Sequence, residues 1–128
     1  MVTVEGHEVV ESWLPDQKRW AMFDPTFVLQ VHDRDGRSLN AVEIRHLWKS
    51  GAGFELTPGH RSPFDDDDYV SRFRNFAVWI RNDFMSRPMN FDDFSRYRVW
   101  YTPDPDLEMP RDSLVTLHEL DLYSPPDQ

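Results

Sequence analysis

Gly6-His7-Glu8-Val9-Val10-Glu11-Ser12-Trp13-Leu14-Pro15-Asp16-Gln17-Lys18-Arg19-Trp20-Ala21-Met22-Phe23-Asp24-Pro25-Thr26 is the stretch on which the fold turns. Glu8 to Trp13 and Trp20 to Phe23 are rich in β-branched and aromatic residues, and the segment from Leu14 to Arg19 between them carries turn chemistry. The pattern predicts a β-hairpin. With its turn centred between Pro15 and Asp16, Val9 faces Met22 and His7 faces Asp24. Directly opposed residues share a face of the sheet, so the imidazole and the carboxylate are expected side by side. A slip of one residue would separate them.

Working outward, Phe27 to His32 reads as a further short strand, ended by a tight turn at Asp33-Arg34-Asp35-Gly36. Asn40-Ala41-Val42-Glu43 has the form of a capping box, and Ala41, Ile44, Leu47 and Trp48 follow at helical spacing until Gly51 closes the helix. Residues 52–64, with Gly53, Pro58, Gly59 and Pro63, are the most linker-like stretch and divide a first half, 1–51, from a second, 65–128, of the same domain. The acidic run Asp65 to Asp68 opens a predicted second helix, where negative charge favours the macrodipole. Its buried stripe would be Tyr69, Phe73, Phe76, Ala77, Ile80 and Phe84, and Arg87-Pro88 would end it. Tyr97 to Thr102 and Leu114 to Leu120 read as closing strands. The fold class expected from this order is α+β, an antiparallel sheet with packed helices.

Five Trp and nine Phe in 128 residues supply enough large apolar surface for a core, so the chain is expected to fold as one domain. A formal charge of -9 opposes attraction to phosphate backbones and anionic lipid, which excludes nucleic acid and membrane surfaces as expected partners. No apolar run has the length of a membrane span, and Met1-Val2-Thr3-Val4-Glu5 lacks the start of a signal peptide, which leaves a soluble, cytoplasmic protein as the default expectation. The absence of cysteine removes disulfides, thiolate metal sites and thiol catalysis from these residues.

A His beside an Asp is the base and orienting acid of acyl-transfer chemistry: the carboxylate fixes the ring, and the ring moves the proton. Gly6-His7-Glu8-Val9-Val10-Glu11-Ser12-Trp13 followed by Lys18-Arg19-Trp20-Ala21-Met22-Phe23-Asp24-Pro25-Thr26-Phe27 resembles the second half of the transglutaminase-like core, a branch of the papain-like cysteine hydrolases and acyltransferases. The continuation from Asp33 to Glu43 is similar to the strand, turn and helix that follow in bacterial members. The resemblance covers roughly residues 1–50. It implies His7 as general base, Asp24 as its orienter, and a parent chemistry of cysteine-dependent amide hydrolysis or transamidation on a peptide or protein substrate. In that family an aromatic commonly follows the His within two residues, whereas Glu8 and Val9 stand here. The family's cysteine lies on a helix a few tens of residues before the His; only six residues precede His7. By this resemblance the chain is a fragment or remnant lacking the Cys-bearing helix, expected to be inactive alone. The alternative expectation is a non-catalytic interaction module derived from that fold, with a protein partner covering its exposed core.

Other signals are weaker. Aligning Gly36 with the glycine of a calcium loop puts Val31 and Val42 where acidic ligands are needed, so a solvated turn is expected. Asp65 to Asp68 is explained as helix N-terminal charge. His32, His46, His60 and His118 lack paired metal-ligand spacing, and neither metal nor cofactor is expected. A carbohydrate-binding β module would need its aromatic rings outside, and the periodicities place most of them inside.

Overall fold

The computed structural model describes residues 1–79, 98–101, 107, 114–118 and 122–123. Among these residues eight strands and two helices follow in chain order: β1 (Val2–Val4), β2 (His7–Leu14), β3 (Arg19–Phe23), β4 (Val31–His32), α1 (Ala41–Ser50), β5 (Glu55–Leu56), α2 (Asp66–Ser71), a 3-10 turn at Arg72–Arg74, β6 (Ala77–Trp79), β7 (Arg98–Tyr101) and β8 (Leu114–Thr116). Six strands form one sheet in the order β3-β2-β1-β6-β7-β8, and β4 pairs with β5 in a separate ribbon. The class is α+β. The sheet is mixed and not wholly antiparallel, because β8 runs parallel to β7.

The predicted hairpin is β2–β3, with a different register. Val10 pairs with Phe23, Glu11 with Met22, Trp13 with Trp20 and Leu14 with Arg19. The turn therefore centres between Asp16 and Gln17, one residue further along than predicted, and each residue's partner shifts by two. A four-residue connection explains the difference: the Gln17 N–H donates to Leu14 O and the Lys18 N–H to Pro15 O, with Lys18 in the left-handed region at φ 50°. The displacement is even, so every side chain keeps its face. Trp13 and Trp20 meet edge to face, with centroids 5.8 Å apart. Upstream, Gly6 at φ 71° completes the turn that returns β1 against β2, with Val4 opposite His7.

Helix α1 follows its sequence signals closely. Asn40 Oδ1 accepts from the Glu43 N–H, Glu43 Oε2 accepts from the Asn40 N–H, and Gly51 at φ 67° caps the other end. The second helix departs from expectation. It ends at Ser71, a 3-10 turn follows, and Ala77 lies in β6, paired with both Thr3 and Trp100. Ala77-Val78-Trp79 finds its backbone partners between two strands, and Asn75 is already extended at φ -126° and ψ 116°. Ile80, Phe84 and Arg87-Pro88 lie outside the described residues. The third predicted strand is also shorter, because Phe27 and Val28 belong to a turn and only Val31–His32 is ladder.

Val2, Val4, Val9, Met22 and Leu29 from the first sheet strands and turn pack with Ile44 and Leu47 of α1 and with Tyr69, Val70, Phe73 and Phe76. Phe73 and Phe76 retain no solvent contact, and each contributes roughly 2–3 kcal/mol relative to exposure. Residues 52–64 contribute to this core through Leu56 in β5 and partly buried Phe54 and Phe64. Arg45 of α1 is buried; its Nε donates to Arg74 O at 3.0 Å and its guanidinium lies 5.5 Å from the Tyr101 ring. Among the described residues no helix is long and apolar enough to cross a membrane.

Candidate active site

His7 begins β2, and Asp24 lies one residue past the end of β3. His7 Nε2 and Asp24 Oδ2 are 2.8 Å apart, so the two residues singled out from the sequence are in contact. Asp24 is fully buried, while the His7 side chain keeps 18% of its exposure. A carboxylate with no solvent needs its oxygens satisfied by protein donors. Oδ1 accepts from the backbone N–H of Thr26 at 3.0 Å and of Phe27 at 3.3 Å, and Oδ2 accepts from Tyr69 Oη at 2.8 Å as well as facing the imidazole. Asp24 and Leu29 exchange backbone hydrogen bonds at 2.9 and 3.1 Å, closing the loop Pro25 to Val28 into a tight turn.

This local sequence explains the geometry. Asp accepts from backbone N–H groups two and three residues on, Pro25 withdraws one competing donor, and the carboxylate is thereby held with Oδ2 pointing away from its own turn. Val28 stands in the same turn at φ 53°. A β-branched residue in the left-handed region is strained, and here the strain lies beside the aromatic wall of the site. That wall is Phe27, whose ring stacks on His7 with centroids 5.0 Å apart and planes 24° from parallel. Phe64 and Tyr69 in turn meet Phe27 edge-on at 6.0 and 6.4 Å.

An acceptor-only carboxylate at Asp24 accepts the hydrogen bond of an Nε2–H, and in that tautomer Nδ1 is the nitrogen left with a lone pair. Among the described residues no group hydrogen-bonds to Nδ1. Tyr69 is held as a donor: burial first, then its hydrogen bond to Asp24, pushes its hydroxyl far above the ordinary phenol range. The arrangement therefore offers one oriented imidazole nitrogen at a partly open edge, backed by a fixed carboxylate and a tyrosine that stays protonated.

Two members of this group, Tyr69 and Phe27, were not singled out as site residues by sequence reasoning. Tyr69 was placed in a buried apolar stripe; its hydroxyl among phenylalanines was the available signal, since a buried phenol requires a partner. Phe27 supplies, from the turn after β3, the aromatic that Glu8 and Val9 do not. The remaining candidates stay apart from the site. Asp33 caps its own turn, accepting from the N–H groups of Asp35 and Arg37, and those bonds, Arg37's first, hold its carboxyl below the usual range. His60 faces Asp66 at 3.6 Å, His46 approaches Tyr101, and His32 approaches Ser38. No cluster of three metal-ligating side chains occurs among the described residues. The chain matches no protein-family model, and no curated protein or solved structure shows significant similarity to it.

Proposed function

We propose that this chain carries the His–Asp half of a transglutaminase-like, papain-like core whose parent chemistry is cysteine-dependent acyl transfer on a peptide or protein amide. The observation that supports it most is the 2.8 Å contact between His7 Nε2 and a fully buried Asp24, made from the strand and Asp-Pro-Thr turn that carry the resemblance. In that chemistry a cysteine sulfur attacks the amide carbonyl, the C–N bond breaks, and the amine leaves with a proton from the imidazole. Water or a second amine then resolves the thioester. His7 Nδ1 is the nitrogen for both proton transfers, and Asp24 and Tyr69 keep the ring from rotating. No cysteine occurs in the 128 residues, so the covalent step requires a thiol from outside them, and the chain alone is inactive.

The test joins the chain to the coding sequence in frame before it and assays ammonia release from a Gln-containing peptide together with peptide hydrolysis. The expected result is a Cys-bearing helix in that segment and a fall of roughly 10²–10⁴ in kcat/KM for His7→Ala. A segment without such a helix, or equal rates for wild type and His7→Ala, sinks the proposal.

A second reading, a non-catalytic module that binds a protein partner, draws on β8 and the residue after it, where Leu114, Val115 and Leu117 are exposed at the outermost of the described strands. Size-exclusion chromatography and thermal melts separate the two: a cooperatively folded monomer fits a self-sufficient module, aggregation fits a piece of a larger core.

A further inference from the structure

Glu11 shares a face of β2 with His7 and Val9, and that face is otherwise directed at the core. Its Oε1 accepts from the Ala41 N–H at the start of α1, at 2.6 Å, and from Tyr123 Oη at 2.9 Å. Among the described residues Oε2 has no hydrogen-bond donor. Beside it is a cavity of about 120 Å³, bounded by Glu11, Trp20, Tyr123, Val2, Val78 and Leu122. That is room for about four waters' share of liquid, or for one small organic ion. Trp20 stands diagonally across the hairpin from Glu11 on the same face, since Glu11 pairs with Met22 and Trp13 with Trp20.

We propose that this cavity is a binding site for a small organic ammonium ion, with Glu11 Oε2 as its counter-ion and Trp20 and Tyr123 as its aromatic walls. Aliphatic side chains from Val2, Val78 and Leu122 accommodate the alkyl part of such a cation, and two aromatic rings attract its charge in a way a neutral alkyl group cannot match. An anion would meet the carboxylate, and a neutral solute would leave it unmatched. Met1 also borders the cavity, yet no ion pair joins its amine to Glu11. Burial, the largest influence on each, raises Glu11 and lowers the Met1 amine, and the attraction between the two charges opposes both shifts without cancelling them. The net charge of -9 further concentrates small cations at the surface. The site is separate from His7 and shares no residue with the His7–Asp24 pair.

Choline and its neutral isostere 3,3-dimethylbutan-1-ol test the idea on the full chain, with the Met1 amine free and acetylated. Binding is read from the Trp20 indole N–H and Tyr123 resonances. Choline is expected to saturate at millimolar concentration, at least about tenfold below the alcohol, and Glu11→Gln is expected to weaken choline about tenfold while leaving the spectrum folded. Equal binding of the two solutes would mark an apolar cavity only and overturn the proposal. So would choline binding that is unchanged in Glu11→Gln, or no saturation with the amine in either form.

Discussion

Replacing Glu11 with Gln should make the protein more stable at neutral pH and remove much of its pH dependence between mildly acidic and neutral conditions. Burial, the largest influence, raises the Glu11 carboxyl from 4.5 to about 7; the Ala41 N–H and Tyr123 hydroxyl oppose this and do not cancel it. The sign follows from which state holds the proton. Below pH 4.5 both folded and unfolded chains carry it, and the group contributes no penalty. Between 4.5 and 7 the unfolded chain has released its proton while the folded chain keeps it, so stability falls as pH rises. Above 7 both are ionised and the loss is complete. A gap of roughly 2.5 in pH, at about 1.4 kcal/mol each, gives a loss on the order of 3 kcal/mol. Gln retains an oxygen for the Ala41 N–H and has no charge to desolvate. For a domain of this size the gain at pH 8 corresponds to a Tm higher by on the order of 10 °C, shrinking to near zero at pH 4. Circular-dichroism melts of both proteins at pH 4, 6 and 8 check this, and taking the difference removes titrations common to both. Parallel Tm profiles for the two proteins across that range would refute the reasoning, as would a variant less stable at pH 8.

Tyr69→Phe removes the donor on Asp24 Oδ2 while leaving the ring packed between Phe27 and Phe73; the expected destabilisation is about 1.5–3 kcal/mol by urea unfolding, and a loss below about 0.5 kcal/mol would mean the hydroxyl does not support the carboxylate. Val28→Gly relieves the left-handed strain at an exposed site; the relief of about 1–2 kcal/mol exceeds the entropy glycine adds to the unfolded chain, leaving a net gain of roughly 0.5–1 kcal/mol. A destabilised Val28→Gly protein would show that the turn conformation is not strained in solution.

Elements whose ends are written in local chemistry were legible in the sequence. The capping box at Asn40 and Glu43 and the glycine at position 51 fixed α1 because each satisfies a particular orphan group of the helix. The second helix was not legible beyond Ser71, since Tyr69, Phe73, Phe76 and Ala77 keep helical spacing while the last two face the same core from extended backbone. A single core can collect a periodic set of residues from two kinds of structure, and spacing alone does not separate them. The parallel placement of β8 was equally hidden, because strand direction depends on where the chain returns and not on strand composition.

The contact between His7 and Asp24 was legible for a reason different from hairpin arithmetic. In the observed ladder His7 lies opposite Val4 of β1, and the β2–β3 pairing stops at Val10 and Phe23, so His7 and Asp24 are not a cross-strand pair at all. An even displacement kept both on one face, and the remaining offset of two residues, about 7 Å along the strand, still had to be closed. The Asp-Pro-Thr turn closes it: with Oδ1 committed to the N–H groups of Thr26 and Phe27, Oδ2 is left aimed at the imidazole. The second donor on Oδ2 comes from Tyr69 in α2, beyond the linker-like stretch. The first 51 residues therefore hold the carboxylate and the imidazole but not the full set of bonds that fixes them, and a chain cut before α2 would leave the buried Oδ2 of Asp24 with His7 as its only side-chain partner. Residues 65–71 belong to the site as much as the hairpin does, which is why the resemblance, confined to residues 1–50, could name the pair without accounting for what holds it in place.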